Sequence, residues 1–401
     1  MFKRAIKIIQ LGVFISIFLT GCTSEKETST IAVAPQREKL VLWSYYETKA
    51  QKESLDILIE EFNNIQDQYE VSWSYVPMTD FSKKLAMGIT ENELPDLVII
   101  DNPDMPSYIQ LGIFEELSQY FDMEELSSYY YENVWQSVQQ GDKYYGLPFC
   151  CNNLALIYNK EIFEQEGTKP PHTWEEFLEC AKVLTNEKHY GFAMSAISGE
   201  QSLFQMLPWI LSTGEHIQQL GGEKTKEAFT LMDTLIEEGY MDINCINWSQ
   251  NDVARKFIEG KVAMMENGPW ILPMLEEADI SYGIVKLPIQ ETSLMLTGGE
   301  NLCIIKDTNV KGAIAFLDYY KTPEVMQRIC EKSSALPPNK EAARGFAEKN
   351  TIYKVFVEQM ENCISRTSFK NWKEISDKLS ESIYGLITKK MTVDEASWNL
   401  Q

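Results

Sequence analysis

Short apolar runs alternate with amphipathic helical stretches from Lys39 onward, and this alternation constrains the fold more than any other feature of the chain. The run KLVLW precedes a stretch whose apolar residues share one helical face, namely Leu55, Leu58, Ile59, Phe62 and Ile65. The alternating segment EVSWSYV, a helical stretch over residues 81–89 and the buried run DLVIID follow. Strands separated by helices of this length predict an α/β lobe with a mainly parallel sheet.

A second series of elements begins after Gly141, where the spacing of turns and aromatics changes. The strand LALIY comes first, and Thr173 followed by Glu176 predicts a helix that opens with a capping box. Strands return at KVAMME, YGIVKLP and NLCIIK, and the chain closes with several helices. This second series predicts a second α/β lobe.

The order of the elements predicts that the chain passes between the lobes several times. We expect a first lobe of residues 39–147 plus 297–340 and a second lobe of residues 148–296 plus 341–401. Repeated crossovers between two lobes are typical of hinged proteins, in which a ligand lies in the cleft and closure buries it.

The N-terminus predicts export and lipid anchoring. Basic residues precede an apolar run over residues 8–19, which is shorter than the ~20 residues that span a bilayer. We interpret residues 1–21 as a signal peptide rather than as a short anchor helix. The sequence Leu-Thr-Gly-Cys ending at Cys22 resembles the bacterial lipobox, whose cysteine carries a diacylglycerol and an acyl chain such as palmitate. Polar residues 22–38 then read as a flexible tether.

Charge and motif content exclude several classes of function. A net charge of -23 opposes binding to nucleic acid and to anionic lipid. The cysteines beyond Cys22 are odd in number and lack the spacing of disulfide frameworks or zinc sites, so we expect buried thiols. Three histidines without metal spacing, and no recognisable catalytic motif, predict a protein without metal, cofactor or enzymatic activity. A pair of opposed carboxylates could still serve a glycosidase.

Four tryptophans lie near the ends of predicted elements or among loop residues: Trp43, Trp209, Trp248 and Trp270. Trp43 ends the first strand, where open α/β sheets bind ligands. Trp270 follows Asn-Gly-Pro, a sequence in which Asn267 or Gly268 caps a helix and Pro269 fits its first turn. An indole at such a helix start offers a flat apolar face to a sugar ring. The alternative is that Trp270 packs between the lobes as core.

Several ordered segments together resemble the family 1 extracellular solute-binding proteins of bacterial ABC sugar importers. They are LVLWSYYE, LPDLVIID, DKYYGLPF with LALIYNKEIFEQEG, PHTWEEFLECAKVLT, FIEGKVAMMENGPW, YGIVKLP and TGGENLCI. The resemblance implies a periplasmic-binding-protein-like α/β fold with two hinged lobes. It also implies a monomer on the extracellular face of the cell membrane, anchored as in Gram-positive bacteria, that delivers a sugar or oligosaccharide to a membrane permease.

The resemblance also implies a set of ligand-binding residues. Trp209 and Trp248 are expected contacts because they lie near element ends or among loop residues. The resemblance places Trp43, Ser44, Tyr45 and Asp101 on one wall, and Trp270 with Gly268 behind it on the other. At a crossover it places Gly299, Glu300 and Asn301. Residues 150–153 stand where relatives often carry small hydroxylated residues, and Asn153 is the expected contact there. We interpret Glu200 and Gln201 as a solvated loop rather than as ligand contacts.

Two other functions are compatible with the sequence. One is a surface-anchored carbohydrate-active enzyme, because the chain is rich in acidic residues. The other keeps the binding fold but exchanges the sugar for a polyamine or another non-sugar ligand, because acidic residues in a cleft also suit a cation.

Overall fold

The computed structural model describes residues 37–369 and 371–401. The predicted signal peptide, the lipidated Cys22 and the tether up to residue 36 lie outside these residues. Within the described part of the chain, no helix combines the length and the apolar character that crossing a bilayer requires.

The strands are, in chain order, β1 (Glu38–Ser44), β2 (Tyr69–Tyr75), β3 (Leu97–Asp101), β4 (Gln139–Gln140), β5 (Lys143–Tyr144), β6 (Leu147–Pro148), β7 (Ala155–Asn159), β8 (Tyr190–Ala193), β9 (Val262–Asn267), β10 (Tyr282–Val285), β11 (Met295–Thr297), β12 (Glu300–Ile304) and β13 (Cys363–Ser365). The α-helices are α1 (Lys49–Ile65), α2 (Met78–Glu91), α3 (Met105–Gln110), α4 (Met123–Tyr129), α5 (Glu132–Trp135), α6 (Lys160–Glu166), α7 (Trp174–Leu184), α8 (Glu200–Ser212), α9 (Glu223–Glu237), α10 (Gln250–Ile258), α11 (Leu272–Glu277), α12 (Val310–Tyr320), α13 (Pro323–Ser333), α14 (Lys340–Lys349), α15 (Lys354–Gln359), α16 (Trp372–Ile387) and α17 (Val393–Trp398).

The first lobe is built on a five-stranded sheet in the order β2-β1-β3-β12-β6. β1 runs parallel to both β2 and β3, as the strand–helix alternation predicts. β12 runs antiparallel to β3 and to β6, so the expectation of a mainly parallel sheet is wrong for this half. The reason is topological, because β12 enters the sheet on the return from the second lobe rather than through a helical crossover.

The second lobe is built on a four-stranded sheet in the order β10-β7-β9-β8. Only β8 and β9 run parallel; β7 pairs antiparallel with both of its neighbours. Every residue of β9 is buried, which fits a central strand covered on both faces. The predicted capping of α7 is present in part: Thr173 accepts from the amide of Glu176, whose own carboxylate accepts from the amide of His172 instead.

The lobes have separate hydrophobic cores that meet at two adjacent cysteines. Cys150 belongs to the first core and Cys151 to the second. Three chain segments cross side by side here, because Cys151 pairs with Leu336 and Asn152 pairs with Gly298 in isolated bridges. The lobe boundaries given by the sequence stay a prediction, and these crossings are where the cores divide.

Gly299 shows why one crossing requires glycine. Its φ of 125° lies in a region that side-chain-bearing residues rarely adopt. A Cβ at this position would lie 2.3 Å from the carbonyl oxygen of Cys150 on the neighbouring crossing segment. Two crossing strands can therefore pack backbone to backbone only because residue 299 has no side chain.

Candidate functional site

A cavity of about 450 Å³ lies between the two lobes, beside the crossing segments. The first lobe contributes Tyr45, Tyr46, Glu47, Thr48, Gln51, Met78, Asp101, Ser333 and Ala335. The second lobe and the crossings contribute Asn152, Glu200, Gln201, Phe204, Ser249, Gln250, Asn251, Asp252, Arg255, Trp270, Gly298, Gly299, Glu300 and Arg366. The volume falls within the range of small-molecule sites in proteins.

The first wall of the cavity is formed where parallel strands end. Tyr45 follows β1 and Asp101 ends β3, so both lie at the carboxyl edge at which open α/β sheets bind ligands. The hydroxyl of Tyr45 donates to Oε1 of Glu300 at 3.2 Å, and its ring packs edge-on against Phe81. Tyr45 is therefore held in place on both its polar and its apolar sides.

The second wall is formed by Trp270, which the chain positions immediately after β9. Gly268 caps a single 3₁₀ turn over Pro269–Ile271, with the proline in its first turn as the sequence predicts. The indole lies against Gly268, where an added Cβ would come within 1.9 Å of the ring. The glycine thus makes room for the ring, which is partly exposed and lines the cavity.

A buried guanidinium connects the two walls. Arg366, only 4% exposed, donates to Glu200 Oε2 at 2.9 Å and lies 3.5 Å from Asp101 Oδ1, so it pairs with one acid from each lobe. Its guanidinium also stacks 4.8 Å from the ring centre of Phe204. Glu200 is held further by the indole N–H of Trp372 at 3.1 Å. Arg366 therefore fixes both carboxylates while leaving them beside the cavity.

Burial changes the acidity of the carboxyls in this cavity. Desolvation raises the pKa of Asp101 to about 8, although the charge of Arg366 opposes the shift. Desolvation also raises the pKa of Glu300, against hydrogen bonds from Cys150 and Tyr45 that lower it. Perturbed carboxyls that face a cavity are typical of functional sites.

The cavity brings together five of the predicted ligand-binding residues: Tyr45, Asp101, Trp270, Gly299 and Glu300. Their role in binding stays a prediction. Trp43 and Ser44 lie elsewhere and are corrected to core positions, since Trp43 is 8% exposed beneath Lys84 and Ser44 is fully buried. Tyr45, the first residue after β1, reaches the cavity instead.

Trp209 and Trp248 are also placed outside the cavity. Trp209 is 1% exposed in the core of the second lobe, and its indole N–H donates to buried Glu266 at 2.9 Å. Trp248 packs against the same core and is only half-buried. Proximity to a predicted element end does not indicate whether a side chain faces the core or the cavity.

Three small or amide residues support the site from behind without lining it. Asn153 is fully buried and donates to the carbonyl of Phe356, and Asn301 accepts from the hydroxyl of Ser137. Gly268 is buried behind Trp270. These residues are corrected from ligand contacts to structural positions, because their polar groups are already used inside the protein.

The structure also adds residues that the sequence did not indicate. Glu200 and Gln201 begin α8 and line the cavity, so their interpretation as a solvated loop is wrong. Phe204 lies one turn further along α8. Arg366 belongs to a 3₁₀ turn in the C-terminal part of the chain, which is far from α8 in sequence. No local pattern singles out Arg366, because its importance depends on two acids that are remote in sequence.

One cysteine reaches the site, since the thiol of Cys150 donates to Oε2 of Glu300 at 2.6 Å. The seven cysteines in the described part of the chain are buried and unpaired, as the sequence predicts. No group of three or more histidine, cysteine or acidic side chains in these residues is arranged to hold a metal ion.

The family model described as bacterial extracellular solute-binding protein matches residues 58–354, most of the chain. The chain belongs to this family. A relative, the multiple sugar-binding protein of Streptococcus mutans, is 25% identical over 346 residues and covers 80% of each chain. The sequence-based recognition of a solute-binding protein is therefore confirmed.

Solved structures of this kind share the fold. The GacH receptor of Streptomyces glaucescens superimposes with a TM-score of 0.81 at 20% identity, covering 91% of this solute-binding protein and 97% of the receptor. Maltose-bound MalE3 of T. maritima gives 0.80 at 19% identity, covering 90% and 97%. The predicted two-lobed α/β fold is confirmed.

Proposed function

We propose that this solute-binding protein captures a sugar or oligosaccharide in the interlobe cavity and delivers it, without chemical change, to the membrane permease of an ABC importer. The observation that carries the proposal is the indole of Trp270, which lines the cavity opposite the carboxyl and hydroxyl groups of the first lobe. A sugar presents a C–H face to an aromatic ring and hydroxyls to polar groups. The cavity offers both kinds of partner on facing walls.

The names of relatives support the choice of ligand. The streptococcal relative is a multiple sugar-binding protein, and a second relative is the maltotriose-binding protein of Pyrococcus abyssi, 25% identical over 254 residues. The structural neighbours include complexes with acarbose and with maltose.

Binding is tested by the fluorescence of the protein on titration with neutral oligosaccharides, and by a thermal-shift panel of sugars and polyamines. A ligand that binds only the native state raises the melting temperature. Trp270→Ala is expected to weaken the affinity by about 2 kcal/mol or more, roughly 30-fold, because a large aromatic contact in a desolvated site is lost.

Trp398→Ala is the matched control, since Trp398 is 74% exposed and does not line the cavity. It removes the same side chain and is expected to leave affinity unchanged. Equal affinities of wild type and Trp270→Ala would contradict the proposed site. Accumulation of reducing ends during incubation with glycans would indicate an enzyme instead.

We further propose that the protein acts as a monomer on the extracellular face of the membrane, anchored through Cys22. The lipid anchor rests on the lipobox-like sequence, whereas the monomer and the extracellular location rest on the family. In a Gram-positive host, Cys22→Ala is expected to move the protein from the membrane fraction to the medium. Retention of the variant in the membrane would argue against a lipid anchor.

A further inference from the structure

Two carboxyls stand directly opposite one another at the floor of the cavity. Asp101 ends β3 and Glu300 begins β12, and the antiparallel register pairs these two residues. Directly opposed residues of an antiparallel pair project to the same face, where like charges destabilise the sheet. Both residues line the cavity, so two carboxyls that repel each other when both are ionised lie where a ligand can reach them.

The protein supplies few cations to this pair. Arg366 lies 3.5 Å from Oδ1 of Asp101, but it shares its charge with Glu200. Within the described residues, the carboxylate of Glu300 accepts from neutral donors alone, the hydroxyl of Tyr45 at 3.2 Å and the thiol of Cys150 at 2.6 Å. Among the described residues, no lysine or arginine forms an ion pair with Glu300.

Acidic side chains also outnumber basic ones in the lining of the whole cavity. Its acidic residues are Glu47, Asp101, Glu200, Asp252 and Glu300, and its basic residues are Arg255 and Arg366. Both arginines are already paired, Arg255 with Asp252 at 2.6 Å. An anionic sugar would find no unpaired cation in the described lining and would be repelled by the carboxylates.

A second group at the site lacks a partner. Nε of Arg366 has no hydrogen-bond acceptor in the described part of the chain, although the side chain is 4% exposed. A buried donor of this kind costs free energy until an acceptor reaches it. A hydroxylated ligand that also carries an amine offers both missing partners, an oxygen for the guanidinium and a cation for the carboxyls.

We propose that Asp101 and Glu300 form a subsite for a protonated amine, so that the preferred ligand is an amino sugar or an oligosaccharide that contains one. The inference rests on the proposed sugar-binding function and narrows the class of sugar. The ammonium group lies between the two carboxyls, while the rest of the ring stacks against Trp270.

Protonation gives the subsite a measurable property. The charged groups that face Asp101 are Arg366, Asp104, Glu300 and Glu200, and burial raises the pKa of Asp101 to about 8. At pH 7 the empty subsite therefore holds a proton on Asp101. A bound ammonium stabilises the carboxylate and lowers this pKa, so binding of the amine releases a proton.

Titration calorimetry at pH 7 compares ligands that differ only in the amine. The probes are glucosamine against glucose, and the β-1,4-linked trisaccharide of glucosamine against cellotriose and against the fully N-acetylated trisaccharide. We expect the amine-bearing member of each set to bind about tenfold tighter or better, the scale of a charge-assisted hydrogen bond. Buffers of different ionisation enthalpy are expected to reveal proton release with the amines only.

The double variant Asp101→Asn/Glu300→Gln is expected to lose the preference for the amine. Asp104→Asn is the matched control, because Asp104 is a neighbouring carboxyl that does not line the cavity; it is expected to keep the preference. Since the N-acetylated probe blocks the amine on the ligand itself, the comparison holds even where a variant folds poorly.

The outcomes separate this inference from the proposed function. Neutral sugars that bind as tightly as their amine counterparts, or better, overturn the amine subsite and leave sugar binding intact. The amine subsite is likewise overturned if a neutral sugar of the thermal-shift panel binds and no amine-bearing probe does. Binding of spermidine without binding of any sugar overturns both proposals.

Discussion

The two walls of the cavity use different parts of secondary structure for different purposes. The first wall consists of the carboxyl ends of β1 and β3 and carries a carboxyl, Asp101, and a tethered tyrosine, Tyr45. The second wall consists of helix starts and a 3₁₀ turn and carries the aromatic rings of Phe204 and Trp270. The first wall therefore offers mainly charge and hydrogen bonds, whereas the second adds apolar area to its own charged side chains, Glu200, Asp252 and Arg255.

This division has an energetic consequence. Polar groups at strand ends can be desolvated only if partners hold them, and Arg366 provides that partner to Asp101 from the closing segment. Aromatic rings need no such partners, so they can line the cavity before a ligand binds. The polar wall is thus the one that depends on the lobes being together.

The largest loss of stability is expected for Arg366→Met. The substitution leaves Asp101 and Glu200 without their cation, and we expect the free energy of unfolding to fall by about 3 kcal/mol. The loss is toward the low end for a buried pair because Glu200 is 27% exposed. Urea denaturation measures it.

Arg328→Met is the control for that experiment. Arg328 bonds to Glu61 at 2.6 Å, but the two side chains are 46% and 32% exposed. An exposed pair contributes about 1 kcal/mol or less. Equal losses in the two variants would show that Arg366 is no more important than a surface ion pair.

The next largest effect is expected at the crossing between the walls. Gly299→Ala introduces a Cβ 2.3 Å from the carbonyl oxygen of Cys150 at a φ of 125°, and we expect a loss of about 2 kcal/mol in unfolding free energy.

Gly239→Ala is the matched substitution for Gly299→Ala, since Gly239 has a φ of 71° and no heavy atom within 4 Å of the added Cβ. It is expected to cost about 1 kcal/mol, the conformational cost alone. A smaller loss at residue 299 than at residue 239 would contradict the role assigned to the crossing.

The charge on the first wall predicts a dependence on pH. Asp101 binds its proton more tightly in the folded state, where its pKa is about 8, than in the unfolded chain. Its contribution to stability is therefore full below about pH 4 and is lost as the pH rises toward 8. Relative to Asp101→Asn, the wild type is expected to lose about 1 kcal/mol between pH 5 and pH 8, since water in the cavity screens the carboxylate.

Urea unfolding curves of the wild type and of Asp101→Asn at pH 5 and pH 8 test this prediction. The contributions of other titrating groups cancel when the two proteins are compared. Parallel changes in wild type and variant would show that Asp101 does not hold a proton in the folded protein.

The smallest loss of stability is expected when a helix cap at the cavity is removed, and it should be equal on the two walls. Each wall contains a helix that opens with a capping box at the cavity, Thr48 for α1 and Ser249 for α10. Thr48→Ala and Ser249→Ala are each expected to cost about 1 kcal/mol of stability. Because both hydroxyls already bond within their boxes, neither substitution is expected to change sugar affinity in calorimetry. Loss of affinity in one variant would identify that hydroxyl as a ligand contact.

Local patterns in the amino-acid sequence are enough to locate the elements and part of the site. Periodicity located β1, α1, β2, α2 and β3 because it records which face of each segment is buried. The strand-end position of Trp43 and the Asn-Gly-Pro-Trp turn indicated where to look for the site, and the family resemblance added Tyr45 and Asp101. Of these, Tyr45, Asp101 and Trp270 line the cavity.

Which of these positions share a cavity depends on the folded chain. Only the return of β12 beside β3 sets Glu300 against Asp101, and only the closing segment brings Arg366 between Asp101 and Glu200. Trp43 and Trp209 were misassigned for the same reason. A local pattern states that a side chain is buried or lies at an element end, whereas its neighbours across the cleft are fixed by contacts between residues far apart in the chain.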